Sequence, residues 1–533
     1  MGPPSTPSSG GPAEPTPPLP PRALEELARA AGDVLITMSG DGTTPVRGVT
    51  FDSRAVTNGD LFFCVPGHVR DGHAFAPQAL DAGAVALCVE RTLGLGVPEV
   101  VVSNLRIAMA RMGAVFYGRP SDDLLMLGVT GTSGKTTTVY LLEPILTAAG
   151  HTAGLIGTIE TRIAGSSRPG VRTTPDSLDL QRLFAEMRAA GVTAVAMEVT
   201  SHALVLHRIE GVRFAAAAFT NLSQDHLDFH ANMEDYFAAK RSLFTPDRID
   251  RGAVNVDDPN GRAIKDSAGV EMVGFGFAPD ADVRPESVRT GPWGQEFVAL
   301  TPAGEIKVAT PLIGDFNLSN CLAAIAISLQ AGISSTAIEE GLARVKSVPG
   351  RFEAVDAGQP FTVVVDYSHK PDALDNVLRE ARRIAARSPD SAVRPSPPRE
   401  SAVRPSPPRA GRVLCVFGCG GDRDRAKRPL MGAVAAQLAD VVIVTSDNPR
   451  SEDPNAIMAE ILEGVNAERA DGPDHVLVDR REAIEIAIGE ARAGDVVVIA
   501  GRGHETHQEF ADHTEPFDDR VVARAALMEV LAC

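Results

Sequence analysis

Leu124-Leu125-Met126-Leu127-Gly128-Val129-Thr130-Gly131-Thr132-Ser133-Gly134-Lys135-Thr136-Thr137 sets the architecture of this chain. The apolar run 124–129 reads as a buried strand, because unbroken aliphatic residues over so short a span suit a sheet covered on both faces. A glycine-containing turn follows. A helix is then expected from 135 to about 149, closed by Gly150. A strand that turns through glycines into a helix presents backbone N–H groups and the positive end of a helix dipole, a site suited to phosphate. Lys135 can reach the β- and γ-phosphates of a nucleotide, and the Thr136 hydroxyl can bind Mg2+. The widespread G-x-x-x-x-G-K-[ST] pattern is not met, because Val129 takes its first glycine position.

Outward from this loop the chain divides. Residues 1–22 are rich in Pro, Ser and Gly and are expected to form a disordered tail. The tail has no basic segment followed by an apolar run, so no signal peptide is expected. From 23 to 122, strands at 46–51, 61–65 and 85–89 mix with a helix around 75–82, a small α/β domain. The loop opens a second α/β domain, in which the alternation is expected to continue to 349. In the third, 350–533, strands at 362–365, 413–417, 441–445 and 496–500 are separated by helical segments, as in a Rossmann-like doubly wound sheet. The expected class is therefore α/β in three domains, the central one P-loop ATPase-like. Inside the third, SAVRPSPPRE at 391–400 is followed by SAVRPSPPRA at 401–410, and 389–410 is expected to be a flexible insertion.

Bulk properties narrow the function. A chain of 533 residues exceeds the roughly 250–300 that one core can serve. Lys and Arg number 51 against 69 Asp and Glu, a net charge of −18. That balance argues against a general nucleic-acid or anionic-membrane binder, while leaving room for a local basic pocket. Six scattered cysteines without a CxxC pair point to neither a zinc site nor a disulfide framework, and fit a reducing cytosol. No run of about 18 apolar residues occurs, so no transmembrane helix is expected.

Further motifs extend the argument. Met197-Glu198-Val199-Thr200-Ser201-His202-Ala203-Leu204 begins at the end of an apolar strand. Then come Thr220-Asn221-Leu222, Asp225-His226-Leu227-Asp228, Ala239-Lys240, Gly314-Asp315-Phe316-Asn317-Leu318-Ser319-Asn320, Gly350-Arg351-Phe352-Glu353 and Asp366-Tyr367-Ser368-His369. With the T-G-T-x-G-K-T-T loop, these resemble the Mur ligases and, in the loop, the related folylpolyglutamate synthases. The resemblance runs from about Asp52 to Glu505 and is strongest to the branch that adds the third residue of the stem peptide. Mur ligases usually carry Asn where this chain has Ser133.

The resemblance implies a cytoplasmic ATP-dependent amide ligase of peptidoglycan synthesis, and so of cell shape and division. It implies that a carboxylate is phosphorylated to an acyl phosphate, which an amine then attacks. Lys135, Glu198, His226 and Lys240 are the implied catalytic set. Gly131, Thr132, Ser133, Gly134, Lys135, Thr136, Thr137, Asn317, Arg351 and His369 are implied around ATP. Thr136, Glu198, His226 and Lys240 are implied around Mg2+, Lys240 as a carbamate, since an ammonium cannot ligate a cation. Without the resemblance, Glu198 reads as a solvated strand end, His226 as a cap or core histidine and Lys240 as a surface lysine.

Substrate residues follow in the same way. Asp52-Ser53-Arg54 and Gly67-His68 resemble segments that contact UDP, making Ser53, His68, Val69 and Arg70 candidates. Thr173, Thr174, Thr200 and Arg208 match muramoyl-peptide contacts, Arg208 being suited to an anion. Leu206 stands where some relatives have Gln, and no role is transferred there. In the third domain, Gly420-Gly421-Asp422-Arg423, Asp447-Asn448-Pro449-Arg450 and Gly501-Arg502-Gly503-His504-Glu505 each follow an expected strand, so all three turns fall on one sheet edge. Arginines bind carboxylates bidentately and Glu505 can take an ammonium, so Arg423, Asp447, Asn448, Pro449, Arg450, Gly501 and Glu505 suit an amino acid with two of each group. By resemblance, DNPR marks the enzymes that add meso-diaminopimelate to UDP-N-acetylmuramoyl-L-alanyl-D-glutamate. A lysine-adding ligase, a folylpolyglutamate synthase-like ligase and a nucleotide-binding regulator are the alternatives. The expected partners are small molecules, with no nucleic acid, no membrane insertion and a monomeric chain.

Overall fold

The computed structural model describes residues 19–67, 70–170, 172–291, 294–386 and 411–532. Most of the expected N-terminal tail, His68, Val69 and the tandem decapeptide lie outside them.

Three sheets organise the chain. The first has strand order Leu35–Ser39, Glu99–Val102, Ala86–Val89, Asp60–Phe63, Gly48–Thr50, all parallel except the first. Helix Leu105–Phe116 covers it with Leu105, Ala108, Met109, Met112 and Phe116, the three-to-four spacing of one apolar helix face. The strand expected over 46–51 is two short ones. Pro45–Val46 pairs with Arg22–Ala23, whereas Gly48–Thr50 pairs with the strand Asp60–Phe63, because the Arg47 N–H turns aside to the Gly59 carbonyl.

The second sheet carries the phosphate-loop strand, Leu125–Thr130, between Ala194–Glu198 and Phe214–Phe219, all parallel. Both its faces are covered. Leu127 and Val129 join the core of helices Lys135–Ala148 and Asp315–Gln330, while Met126 packs with Leu180 and Phe184 of helix Ser177–Ala189 on the other side. At about 1.5–3 kcal/mol for each large aliphatic side chain buried, two-sided burial explains why the strand is aliphatic throughout.

The alternation expected to run to 349 is interrupted. Arg284–Gly291, Gly294–Thr301 and Gly304–Thr310 form an antiparallel meander. Its second and third strands bury alternate residues (Phe297, Ala299, Ile306, Val308) against the same core.

The third sheet has strand order Glu353–Ala354, Thr362–Asp366, Val496–Ala500, Val413–Phe417, Val441–Thr445, His475–Leu477, parallel apart from the first strand. Helices Pro371–Ala385, Lys427–Leu438 and Pro454–Glu468 lie on one face. Arg480–Glu490 and Asp519–Ala532 lie on the other, which makes the sheet doubly wound. The parallel strands 413–417, 441–445 and 496–500 end on one edge, bringing together three turns dispersed over some eighty residues of sequence.

Candidate functional site

The phosphate loop turns on glycines whose positions crowd any added side chain. Gly131 and Gly134 have φ of 149° and 85°. A Cβ on Gly131 would lie 1.9 Å from Thr220 Oγ1, and one on Gly134 2.4 Å from Asn320 Oδ1. The neighbouring strand end latches the loop. The Ser133 N–H donates to Asn221 Oδ1 at 2.9 Å, the Thr132 N–H to the Asn221 carbonyl at 2.9 Å, and the Thr220 hydroxyl to the Ser133 carbonyl at 2.6 Å. Lys135 folds back to donate to the carbonyls of Gly131 and Thr132, both at 2.9 Å. Burial pushes its ammonium down to about 8, although the Glu198 carboxylate opposes the shift. Thr136 and Thr137 are buried at the start of the helix.

Lys240, on helix Met233–Arg241, is only 1% exposed. Its Nζ donates to the Gly131 carbonyl at 2.8 Å and lies 4.5 Å from the centre of the Tyr236 ring. Burial, then the charge of Lys135, hold it well below the usual lysine range. Two lysine amines therefore converge on one carbonyl oxygen.

Glu198, at the carboxyl end of the adjacent strand, is buried, and its carboxylate accepts from the Thr158 N–H (2.8 Å) and hydroxyl (3.1 Å). Around it gather several residues singled out from the sequence. The Thr173 and Thr158 hydroxyls are 3.0 Å apart, and the Thr174 hydroxyl donates to the Glu198 carbonyl at 2.8 Å. Thr200 caps the next helix through the Ala203 N–H. Arg208 donates to the Thr174 carbonyl at 3.0 Å and pairs with Asp176 at 2.8 Å. His226 adopts a left-handed backbone (φ 53°), its ring edge-on to His202. Burial lowers it to about 4, against the pull of Asp225, so it is a neutral imidazole at pH 7 and can serve as a metal ligand.

The third region reaches this site. Arg351 donates to Thr136 Oγ1 at 3.3 Å and lies over the Tyr367 ring. Lys370 forms an ion pair with Asp225. His369 bonds the Tyr367 carbonyl through Nδ1 at 2.8 Å, and burial lowers it to about 3. Asn317 donates to the Ile313 carbonyl at 2.9 Å and accepts at 3.3 Å from its helix neighbour Asn320, whose Oδ1 approaches Gly134.

The three turns of the third sheet interlock. Asn448 donates to Glu505 at 2.7 Å and accepts from buried Arg502 at 2.6 Å. Arg450 bonds Glu509 (2.8 Å) and the Gly421 carbonyl (2.8 Å). Arg423 is exposed, and its guanidinium bonds the Asp422 carbonyl at 3.1 Å. A Cβ on Gly501 would lie 2.4 Å from Asp447 Oδ2, which holds that carboxylate against the third turn. Of the eight described non-glycine residues with positive φ, His226, Phe352, Asp422 and Arg450 lie at these two sites. Such backbones cost about 1–3 kcal/mol each and persist where surrounding structure enforces them.

Ser53 bonds Gln78 at 3.2 Å, and the Arg70 carbonyl accepts from Gly67, so their described hydrogen bonds stay in the N-terminal region. The roles of Asn221, Thr220, Asn320, Asp225 and Lys370 in joining segments were not assigned from sequence, although all five stand inside or beside quoted motifs. No spacing rule reveals which side chain turns toward the loop.

Among the described residues no three His, Cys, Asp or Glu side chains form a ready metal cluster. The Glu198 carboxylate acts through its charge on Lys135, the residue before Thr136, so a carboxylate and a hydroxyl stand on either side of the loop lysine; such oxygen donors suit Mg2+, which keeps water and takes substrate phosphate oxygens beside one or two protein carboxylates. No described helix is long and apolar enough to cross a membrane.

Residues 45–115, 129–328 and 401–503 match, respectively, the Mur ligase family catalytic domain, the Mur ligase middle domain and the Mur ligase glutamate ligase domain. A UDP-N-acetylmuramoyl-L-alanyl-D-glutamate–2,6-diaminopimelate ligase of Geobacillus thermodenitrificans is 46% identical over 495 residues, covering 92% of this chain and 96% of the relative. One of Streptomyces coelicolor is 45% identical over 523 residues, covering 96% and 98%. A solved structure of a ligase of that name is 31% identical with a TM-score of 0.67, covering 96% of this chain and 99% of the other. A folylpolyglutamate synthase of Mycobacterium tuberculosis, 18% identical with a TM-score of 0.56 over 80% of this chain and 94% of its own, shares the fold.

Proposed function

The chain belongs to the Mur ligase family, and from that premise we infer that it is an ATP-dependent acid–amino-acid ligase of peptidoglycan precursor synthesis. It joins 2,6-diaminopimelate to the D-glutamate carboxylate of UDP-N-acetylmuramoyl-L-alanyl-D-glutamate. Near-full-length identity of 45–46% to ligases of that name carries this reading. The folylpolyglutamate synthase likeness extends to the fold alone.

The reaction joins three ligands, one for each proposed unit: 23–122 for UDP, 123–349 for ATP and 350–533 for the amino acid. The glutamate carboxylate takes the γ-phosphoryl group of ATP, leaving ADP. The amine of the amino acid then attacks the acyl phosphate and inorganic phosphate departs. Little covalent work falls to the protein, so positioning and charge dominate. Loop N–H groups and Lys135 hold the transferring phosphate, and Arg351 approaches from the third unit beside Thr136. Thr173, Thr174, Thr200 and Arg208 hold the muramoyl peptide beside Glu198. Ser53, His68, Val69 and Arg70 are proposed at UDP. Mg2+ bound near Thr136, Glu198 and His226 would neutralise the phosphates.

Lys240 is proposed to work as a carbamate. A buried amine depressed by its surroundings is neutral enough to attack CO2, giving a carbamate and one proton. Two ammonium groups on the Gly131 carbonyl would repel each other; a carbamate on Lys240 turns that repulsion into attraction toward Lys135. Arg423, Asp447, Asn448, Pro449, Arg450, Gly501 and Glu505 are proposed to read diaminopimelate, by charge-assisted bonds to its carboxylates and second ammonium. The meso stereoisomer, a cytoplasmic location and a monomeric state complete the proposal. Mass spectrometry of the product formed from ATP, Mg2+, the UDP-dipeptide and a panel of amino acids tests it. A diaminopimelate adduct with ADP release dependent on both substrates is expected, and an adduct with lysine alone or with no amino acid in the panel overturns it.

A further inference from the structure

Arg428 is a fully buried arginine, yet it touches none of the residues proposed to read the substrate side chain. It is the second residue of helix Lys427–Leu438, which packs against helix Pro454–Glu468. Glycines bring the two backbones together: a Cβ on Gly464 would lie 1.7 Å from the Pro429 carbonyl oxygen, and one on Gly432 2.2 Å from that of Ile461. That approach puts the Arg428 guanidinium among acceptors from three segments. It donates to Glu452 Oε1 at 2.8 Å and Oε2 at 3.0 Å, to Glu460 at 2.9 Å, and to the Gly420 carbonyl at 3.2 Å.

The first and last of these acceptors belong to the two arginine-bearing turns. Gly420 opens the turn that carries Arg423, and Glu452 stands two residues past Arg450. Glu452 Oε1 also accepts the Asp422 N–H at 2.6 Å, and Asp422 in turn accepts from the Ser451 hydroxyl at 2.6 Å and N–H at 3.2 Å. The Gly421 N–H donates to the Asn448 carbonyl, and a Cβ on Gly421 would lie 1.9 Å from the Pro449 carbonyl oxygen. Asp422 and Arg450 both adopt left-handed backbones, so each turn relies on outside bonds to keep its shape.

We propose that Arg428, through Glu452, is the positioning residue that holds the Arg423 and Arg450 turns at the fixed spacing needed to grip an amino acid with two carboxylates. The inference rests on the diaminopimelate reading of that site. A guanidinium suits the task because its planar fork bonds a carboxylate bidentately and still has donors for a carbonyl; lysine lacks that geometry. A side chain that only stabilised the helix pair would have no need to bond both turns.

The test uses the full-length enzyme with ATP and the UDP-dipeptide. Arg428→Met, Glu452→Gln and Arg428→Lys are compared with wild type for KM of each substrate, kcat, Tm and the preference for diaminopimelate over L-lysine. A displacement of about 1 Å in a positioning group can cost about a hundredfold, so a rise of about tenfold or more in the KM for diaminopimelate is expected in Arg428→Met and Glu452→Gln. The KM values for ATP and UDP-dipeptide should stay within about twofold, the preference over lysine should shrink, and Arg428→Lys should fall between. If Arg428→Met does not fold, Glu452→Gln, whose side chain is 23% exposed, decides. An unchanged KM for diaminopimelate in a folded variant, or a parallel rise in all three KM values, overturns the proposal. Wild type that turns over diaminopimelate while the variants match it defeats the clasp alone. Wild type that does not use diaminopimelate defeats the underlying reading and the clasp with it.

Discussion

The phosphate loop and the turns of the third sheet are built to meet charge by different means. Around Gly131–Thr137 the groups proposed to face a ligand are backbone amides, the start of one helix and Lys135, drawn from a continuous stretch of chain. The side chains that latch the loop backbone from the neighbouring strand end and helix, Thr220, Asn221 and Asn320, are small and neutral. At the third sheet the groups proposed to face a ligand are arginines and carboxylates on three separate turns. Their support rests on buried arginines: Arg428 paired with Glu452 and Glu460, Arg480 paired with Asp519, and Arg502 bonded to the Asn448 amide. The difference follows the ligands. Phosphate is recognised by any set of converging N–H groups, so a compact loop suffices. An amino acid that must be told from a close analogue needs charges fixed at a distance from one another, and long side chains stay fixed only when their own environment is ordered.

Substitutions can break or sharpen this contrast. The largest effect is expected for Lys240→Ala, which should cut kcat about a thousandfold by removing a charged group from the phosphoryl-transfer site. Short carboxylic acids that fill the vacated space should restore part of the rate, whereas bicarbonate should not. Wild-type turnover in Lys240→Ala would show that the loop needs no side chain beyond its own.

Arg450→Ala should cost about 2–5 kcal/mol in kcat/KM for diaminopimelate, roughly 30- to several-thousand-fold, because it truncates one partner of a desolvated charge pair. L-Lysine, lacking the second carboxylate, should react poorly before and little worse after. An equal loss for both amino acids would mean that Arg450 supports the closed enzyme and not its selectivity.

Alanine at matched glycines gives the cleanest separation. Gly131→Ala would bring Cβ to 1.9 Å from Thr220 Oγ1, and Gly421→Ala to 1.9 Å from the Pro449 carbonyl oxygen. Overpacking of about 1–3 kcal/mol should raise the KM for ATP in the first and for diaminopimelate in the second, about five- to hundredfold. If each variant raises both KM values alike, the two regions are not independent.

The smallest effect is a pH dependence. Burial, and then the charge of Asp447, raise the Glu505 carboxyl above its ordinary value of 4.5. Its carboxylate attracts an ammonium only when ionised. Affinity for diaminopimelate should therefore be full above the raised value and fall, by up to about tenfold, as pH drops through it. Glu505→Gln should bind weakly at every pH and lose that slope, while the KM for ATP over the same range should not follow it. A slope that survives in Glu505→Gln would assign the titration elsewhere.

The sequence by itself determined the strand-loop-helix around Gly131, the parallel third sheet and the motifs that pointed to a ligase. Each depends on residues adjacent in the chain, where aliphatic runs, glycines and one lysine report local backbone geometry directly. The meander at 284–310 is legible in the period-two alternation of Phe297, Ala299, Ile306 and Val308, which a strand and not a helix produces. Only the tertiary structure decided that Lys240 lies 2.8 Å from the Gly131 carbonyl, that Asn320 approaches Gly134, and that Arg428 joins two turns. Those facts depend on which side chains are buried together after helices and strands from distant segments pack. Burial is a property of the packed whole: composition would leave a lysine or arginine in water, and only enclosure by other segments makes it a depressed amine or a clasp.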